Sequence, residues 1–141
     1  MKDIYADFKD VLSINSIVGN NSTEGKGVGV DSQFCEGAEA IFNIGVSLDT
    51  LSGSVYVTLS LQHCDTDTDG SYVDVPSGEY KGSQGLVIND PAEDALIVKV
   101  GYTGTKRWLR AIVAFTGTHT NGFPIGATIR LGHPRHAPLS A

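Results

Sequence analysis

Apolar and polar residues alternate along several short stretches of this chain. The clearest stretch is residues 54–63, in which Val55, Val57, Leu59 and Leu61 are separated by polar or aromatic side chains. A period of two is typical of an antiparallel strand with one buried and one solvent-facing side. The same pattern predicts strands in four further ranges: 12–18, 40–48, 109–115 and 123–131.

Short turn-forming sequences separate these strands. The linker "DTLSG" predicts that strands 40–48 and 54–63 form a hairpin, and "TGTHTNG" turns the chain between the last two strands. The sequence "DPAED" predicts one helical turn, capped by Asp90 and with Pro91 at its first position.

The whole pattern predicts an all-β chain. About eight strands, with no helix long enough for a crossover, favour a single-domain antiparallel β-sandwich that is jelly-roll-like. The length of 141 residues suits one domain. We expect residues 12–132 to form the sandwich core, with residues 1–11 and 133–141 as extended N- and C-terminal arms.

The charge balance narrows the class of partner. Asp and Glu outnumber Lys and Arg by 16 to 10, which gives a net charge of −6. An acidic chain does not attract phosphate backbones, so no nucleic-acid partner is expected. No apolar run approaches the ~20 residues of a membrane span, and "MKDIYADFKDVL" is not a secretory signal, so we expect no membrane partner and synthesis in a cytoplasm. Cys35 and Cys64 are expected to be reduced, buried thiols.

An acidic stretch, "DTDTDG", begins at Asp65 and opens like a calcium-binding loop. Its carboxylates, Asp65, Asp67 and Asp69, are weak candidates for a cation site. Such a loop requires a Glu at its twelfth position, and Pro76 stands there instead. A solvated hairpin tip is the alternative interpretation, and no cofactor is expected.

The C-terminal sequence "HPRH" places His133 and His136 three residues apart. Pro134 prevents a regular helix, so this spacing does not bring the two imidazoles to one face. An ordered extended tail is the favoured interpretation; a metal site and a catalytic site are the alternatives. No serine stands in a G-x-S-x-G elbow and no histidine has a neighbour that suggests a catalytic base, so the chain is predicted not to be an enzyme.

The sequence "KRWLR" combines basic residues with the tryptophan, Trp108. Arg107 and Arg110 flank it, and such Arg and Trp side chains are typical of contacts with a protein partner. Plain structural packing and binding of single-stranded nucleic acid are the alternatives.

Two segments resemble a known family. "YTGTKRWLRAIVAFTGTHTNGFPIGATIRLGHPRHAP" is similar to the C-terminal part of small structural proteins encoded in tailed-bacteriophage head gene clusters. In those proteins a Tyr-x-Gly-x-x-Arg-aromatic-Leu/Val-Arg strand precedes Gly-Thr and a strand that ends in "GHP". "LSLQHCDTDTDGSYVDV" resembles their Leu-x-His-Ser-Asp-Asp-Gly hairpin, with Cys64 at the usual Ser. The resemblance covers residues 54–138.

This resemblance implies a virion component, namely a non-enzymatic capsid cement or decoration protein. The expected partner is the major capsid protein, contacted on the outer face of the head, and the chain is expected to form a homo-oligomer, a dimer or a trimer, on the capsid. A carbohydrate-binding or host-adhesion module on the virion is one alternative. A head–tail connector or tail component is another.

Extended arms enlarge a contact without enlarging the core, so both arms are candidates for partner binding. The complete set of partner-binding candidates is Ile4, Tyr5, Phe8, Arg107, Trp108, Arg110, His133, Pro134, Arg135 and His136.

Overall fold

A computed structural model describes residues 4–135 as two antiparallel β-sheets packed face to face. The predicted all-β sandwich is confirmed. Within the described range the strands are β1 Phe8–Gly19, β2 Val30–Asp31, β3 Cys35–Ile44, β4 Tyr56–Cys64, β5 Val73–Asp74, β6 Tyr80–Gly82, β7 Leu86–Ile88, β8 Leu96–Tyr102, β9 Trp108–Thr116 and β10 Phe123–Pro134.

From β3 onward, the long strands of the chain alternate between the two sheets. The first sheet has the order β1-β10-β3-β8-β6, and the second has the order β2-β9-β4, with β5 and β7 both pairing with β4. Every pairing is antiparallel. Consecutive long strands therefore face each other across the core more often than they lie side by side.

The core is made by the residues that the alternation singled out. Val57, Leu59 and Leu61 of β4 are fully buried. Alternate residues in β9 and β10 are also buried, with at most 4% exposure: Leu109, Ala111, Val113, Phe123, Ile125, Ala127, Ile129 and Leu131. One apolar face of each sheet packs against the other, and this burial is the main source of stability.

The predicted hairpin between 40–48 and 54–63 is wrong. β3 belongs to the first sheet and β4 to the second. The linker between them passes from one sheet to the other, and its Leu51 side chain is buried. β9 and β10 are likewise in opposite sheets. Alternation predicts that each strand has one buried face. It does not predict which sheet holds the next strand, because the opposite sheet covers the buried face in either case.

Ser13 joins the two sheets along one side of the sandwich. Its hydroxyl donates to the carbonyl of Val28 at 2.9 Å and accepts from the backbone N–H of Ala111 at 3.0 Å. Val28 donates its own N–H to the carbonyl of Ser13 at 2.8 Å. A register shift in β1 between Leu12 and Ile14 brings Ser13 to this position. Because Ser13 and Ala111 are buried, the bond from the Ala111 N–H satisfies a backbone group that water does not reach.

The predicted arm boundaries differ from the structure at both ends. Phe8–Val11 belong to β1, where they pair with β10, so only Ile4–Asp7 of the described N-terminal segment precede the sheet. His133 and Pro134 belong to β10, and Pro134 pairs with Cys35. The sheets extend further because the two chain ends are neighbours and pair with adjacent strands, which local sequence does not reveal. His136 and the rest of the predicted tail lie outside the described residues.

Two smaller predictions can be compared directly with the structure. Pro91–Glu93 form a short 3-10 turn, and the Asp90 side chain caps it by accepting from the N–H of Ala92 at 2.9 Å. Both cysteines are free thiols; Cys64 is buried as expected, whereas Cys35 is only half-buried.

Candidate functional site

Segments that are distant in sequence meet at one end of the sandwich. Phe8 at the start of β1 pairs with Gly132, and Cys35 at the start of β3 pairs with Pro134. The loop before β9 joins them, because Ser32 donates its N–H to the Arg107 carbonyl at 2.9 Å. We call this end the terminal face; it comprises Phe8, residues 32–38, residues 102–108 and residues 132–135.

A cleft of about 470 Å³ opens in the terminal face. One wall is the segment 32–38, the other is the segment 102–107, and Arg135 stands at the rim. A second cleft of about 280 Å³ adjoins the first and shares Gly37, Ala38, Tyr102 and Thr103 with it. The terminal face is therefore concave, which is the shape of a recognition surface.

Phe34 is the most unusual residue of the terminal face. Its side chain is 58% exposed and its backbone φ is +75°, in the left-handed region that bulky residues rarely adopt. The carbonyl of Phe34 accepts a hydrogen bond from the N–H of Arg135 at 2.8 Å, which holds the loop in this conformation. A strained backbone that presents an aromatic ring to solvent is a common feature of binding sites.

Two glycines allow aromatic rings to lie close to the backbone at this end of the first sheet. A Cβ on Gly132 would stand 2.9 Å from Cδ1 of Phe8, and a Cβ on Gly37 would stand 2.7 Å from Cδ2 of His133. The guanidinium of Arg130 lies 5.5 Å from the centre of the Phe8 ring. Phe8 and His133 are thus placed by direct contact with backbone.

Basic side chains surround the larger cleft. Arg107 makes a two-pronged contact with Asp31, with N–O distances of 2.8 and 2.7 Å, and this contact lowers the pKa of the Asp31 carboxyl. The Arg107 guanidinium also lies 5.4 Å from the centre of the Trp108 ring. Lys106 contacts Asp65 at 3.0 Å, and Arg135 lies 3.7 Å from Glu36. These groups are partly exposed, so each has donors left for a partner.

Tyr102 forms part of the wall of both clefts and is tied to the interior. Its hydroxyl accepts from the backbone N–H of Lys106 at 2.9 Å and lies 2.9 Å from Nδ1 of His63. The Tyr102 hydroxyl and the buried His63 ring therefore share one hydrogen bond. Burial lowers the pKa of His63 and raises the pKa of Tyr102, so both stay neutral near pH 7. This pair fixes the cleft wall.

Arg110 lies away from the terminal face. It is buried, with Nε donating to Gln62 at 2.9 Å and Nη1 donating to Asp69 at 2.6 Å, and its guanidinium lies 4.1 Å from the Tyr72 ring centre. The structure therefore assigns Arg110 to internal packing rather than to an exposed contact. Arg107 and Trp108, from the same "KRWLR" sequence, remain at the terminal face.

The three carboxylates of the acidic stretch point to different partners. Asp65 contacts Lys106, Asp67 accepts from the Tyr72 hydroxyl at 2.6 Å, and Asp69 contacts Arg110 and Lys26. Within residues 4–135, no three His, Cys, Asp or Glu side chains are grouped so that they could hold a metal ion. Each carboxylate of this stretch therefore contacts a side chain from elsewhere in the same chain.

One histidine does approach a carboxylate, but not in a cleft. Nδ1 of His119 lies 4.0 Å from Oδ2 of Asp49, and its side chain is 0% exposed. Nε2 of His119 lies 3.0 Å from the Thr116 carbonyl, while Nδ1 has no hydrogen-bond partner. Asp49 accepts from the N–H groups of Asn121 and Gly122 and so shapes the turn before β10. The His119 ring is enclosed, so its contact with Asp49 is part of the packing around this turn.

The remaining partner-binding candidates among the described residues lie in two places. Ile4 and Tyr5 are exposed in a turn before β1, and His133, Pro134 and Arg135 lie at the terminal face. Sequence reasoning missed Phe34, Cys35 and Tyr102. The only sequence signal for Phe34 was an aromatic residue in the polar stretch "DSQFCEG", with no alternation around it.

Comparison with known protein families, with curated proteins and with solved structures finds no match to this chain. In the described part of the chain, no helix has the length and apolar composition needed to cross a membrane. A proposal for the function of this chain therefore depends on the sequence motifs and on the geometry of the terminal face.

Proposed function

We propose that this chain is a virion structural protein that decorates the outside of a tailed-phage head and binds the major capsid protein through the terminal face. The observation that carries the proposal is the convergence, at one concave end, of residues from four distant parts of the sequence. Among them are an exposed aromatic ring, Phe34, and two arginines, Arg107 and Arg135, and aromatic and arginine side chains are enriched in protein interfaces. The sequence resemblance to phage head proteins supports the same role.

The strand order supports the jelly-roll part of this proposal. The sheet β1-β10-β3-β8 packs against the sheet β2-β9-β4, in which β5 and β7 both pair with β4. Most successive strands change sheets, as the strands of a jelly roll do. Jelly rolls are common in viral capsid and lectin domains. A rigid two-sheet body that bridges capsomers stabilises a shell by adding buried area at each junction, about 1,000 Å² or more for a specific contact.

Cosedimentation with undecorated heads tests the proposal. We expect the wild-type chain to pellet with the heads in hundreds of copies per particle, of the order that a shell-wide lattice requires. A few or a dozen copies would instead indicate a connector or tail component, and no binding would overturn the proposal.

A matched pair of variants tests the surface. Phe34 and Val46 are 58% and 59% exposed, but Val46 lies beyond the opposite end of β3. We expect Phe34→Ala to weaken binding to heads at least tenfold and Val46→Ala to leave it unchanged. Equal binding by both variants would contradict the assignment of the terminal face. Any truncation of the tail should begin after Arg135, since His133 and Pro134 belong to β10.

A further inference from the structure

The outward side of the first sheet carries large apolar side chains that are exposed to solvent. Phe42 and Val98 are cross-strand partners and face the core, so the residues next to them in β3 and β8 face outward. On this side Leu12 is 56% exposed and Ile97 is 65% exposed, and Ile41 is half-buried on a strand between theirs. We call this surface the outer face; it comprises the outward side chains of residues 10–16, 39–43, 97–99 and 126–130.

The strand register arranges the outer face in rows. Asp10, Arg130 and Glu39 are successive cross-strand partners on β1, β10 and β3. Two residues further along each strand, the next row is Leu12, Thr128, Ile41 and Lys99. The two apolar residues of this second row, together with Ile97 from the row beyond, line a hollow of about 210 Å³. The outer face therefore has a charged row beside an apolar, concave centre.

The charges of the outer face are balanced, unlike those of the whole chain. The chain carries a net charge of −6, so two copies repel each other in most orientations. On the outer face, Asp10 and Glu39 are matched by Arg130 and Lys99. Asp10 and Arg130 pair with each other, whereas neither Glu39 nor Lys99 forms an ion pair within residues 4–135. Two unpaired charges of opposite sign beside an apolar centre are complementary to a surface of the same composition, which a second copy of this chain supplies.

We propose that two copies of this chain dimerise through the outer face, about a twofold axis that runs parallel to the strands and between β10 and β3. This axis places Arg130 opposite Glu39 of the partner subunit, where it uses guanidinium donors that Asp10 leaves free. It also places Lys99 over Leu12 of the partner subunit, and from there the ammonium reaches Asp10 of the partner subunit. Since a twofold interface repeats each contact, Glu39 and Lys99 gain an opposite charge in both subunits.

The size of the outer face fits such a dimer. Four strands about 4.8 Å apart, with seven residues of about 3.4 Å each, span a flat area of about 450 Å². The relief of the side chains adds to this area, so two copies together bury about 1,000 Å², the lower end of the range for specific interfaces. Gly126, which lies at the side of the hollow, adds no side chain that would hold the two sheets apart.

The orientation of the dimer has a consequence for attachment to heads. The terminal face lies at one end of these strands, so an axis parallel to the strands turns both terminal faces to the same side. One dimer then attaches through two surfaces, which increases its avidity. This consequence rests on the proposed function, whereas the dimer itself does not.

Sedimentation equilibrium of the purified chain, without heads, tests the dimer. The measurement extends to about 300 µM, because interfaces at the low end of the size range are often weak. We expect the mass of the wild type to approach twice the chain mass of 14.9 kDa. Ile97→Lys should remain at the mass of one chain. The matched control is Val73→Lys, which makes the same change of charge at a position that is 53% exposed on β5 of the second sheet, and it should dimerise as the wild type does.

Glu39→Lys tests the position of the axis. It sets a like charge opposite Arg130 of the partner subunit at two places, so we expect the dissociation constant of the dimer to rise at least tenfold. Melting temperatures within a few degrees of the wild type show that each variant is folded. A wild type that stays at the mass of one chain, or Ile97→Lys and Val73→Lys proteins with the same mass, would overturn the dimer while leaving the decoration role intact. A Glu39→Lys protein that dimerises as tightly as the wild type would overturn the axis.

Discussion

The two arginines of "KRWLR" are expected to separate stability from binding. Arg110→Met removes the guanidinium but keeps the apolar stem, and Arg107→Met does the same at an exposed position. Arg110 is buried between Gln62 and the ring of Tyr72, whereas the Arg107–Asp31 contact is 46% and 36% exposed at its two side chains. The same chemical change therefore falls on an interior site and on a surface site.

The magnitude for Arg110 follows from two contacts. A buried hydrogen bond from a charged donor, here to Gln62, contributes about 1.5–3 kcal/mol. A desolvated guanidinium over an aromatic face, here Tyr72, contributes about 0.5–2 kcal/mol. The contact with Asp69 adds little, because that carboxylate is 66% exposed. We expect a loss of about 2–5 kcal/mol in the free energy of unfolding, which lowers the melting temperature of a domain of this size by about 6–20 °C.

Urea denaturation followed by Trp108 fluorescence gives the free energy of unfolding of both variants, and cosedimentation with undecorated heads gives their binding. We expect Arg110→Met to be destabilised but to bind heads at temperatures where it is folded. Arg107→Met should keep the wild-type denaturation midpoint and bind more weakly. Equal denaturation midpoints for the two variants would refute the division between an internal and an exposed arginine.

Three further predictions concern the fold. Ser13→Ala should lower the free energy of unfolding by about 1–3 kcal/mol, because it leaves the buried N–H of Ala111 without a partner. Ser22→Ala, which removes similar bonds to Phe115 at an exposed position, should have little effect, and urea denaturation measures both. A hydrogen bond from the Asn121 backbone holds the pKa of the Asp49 carboxyl below its usual value. The stability that Asp49 contributes is therefore complete above about pH 4 and is lost as the pH falls below that. In urea denaturation between pH 7 and pH 2, the free energy of unfolding of Asp49→Asn should fall less than that of the wild type. Phe34→Gly should raise the free energy of unfolding by about 0.5–1 kcal/mol by relieving the positive φ, while weakening binding to heads; a destabilised variant would contradict the strain.

Alternation of side chains was sufficient to predict the sandwich and most of its core. It predicted the buried faces of β4, β9 and β10 because those faces follow from the pleat of a strand alone. It did not predict which sheet holds each strand. Leu51 in the linker after β3 is buried as the chain crosses from one sheet to the other, and the pattern of β3 and β4 would have been the same in a hairpin.

The candidate site was only partly predictable for a related reason. Arg110 was predicted to contact a protein partner, but Tyr72 and Asp69 from a separate loop cover its side chain. Phe34 takes its left-handed conformation from a hydrogen bond to Arg135, about a hundred residues away in sequence. Contacts of this range depend on the finished fold rather than on local sequence.

Electron cryomicroscopy of heads after addition of the purified chain tests the central claim most directly. We expect a β-sandwich on the outer surface, oriented with Phe34 and Arg107 against the shell protein and with the Asp90–Asp94 turn toward solvent. Bare heads after saturating addition, or sandwiches that contact the shell through the Asp90–Asp94 end, would contradict it.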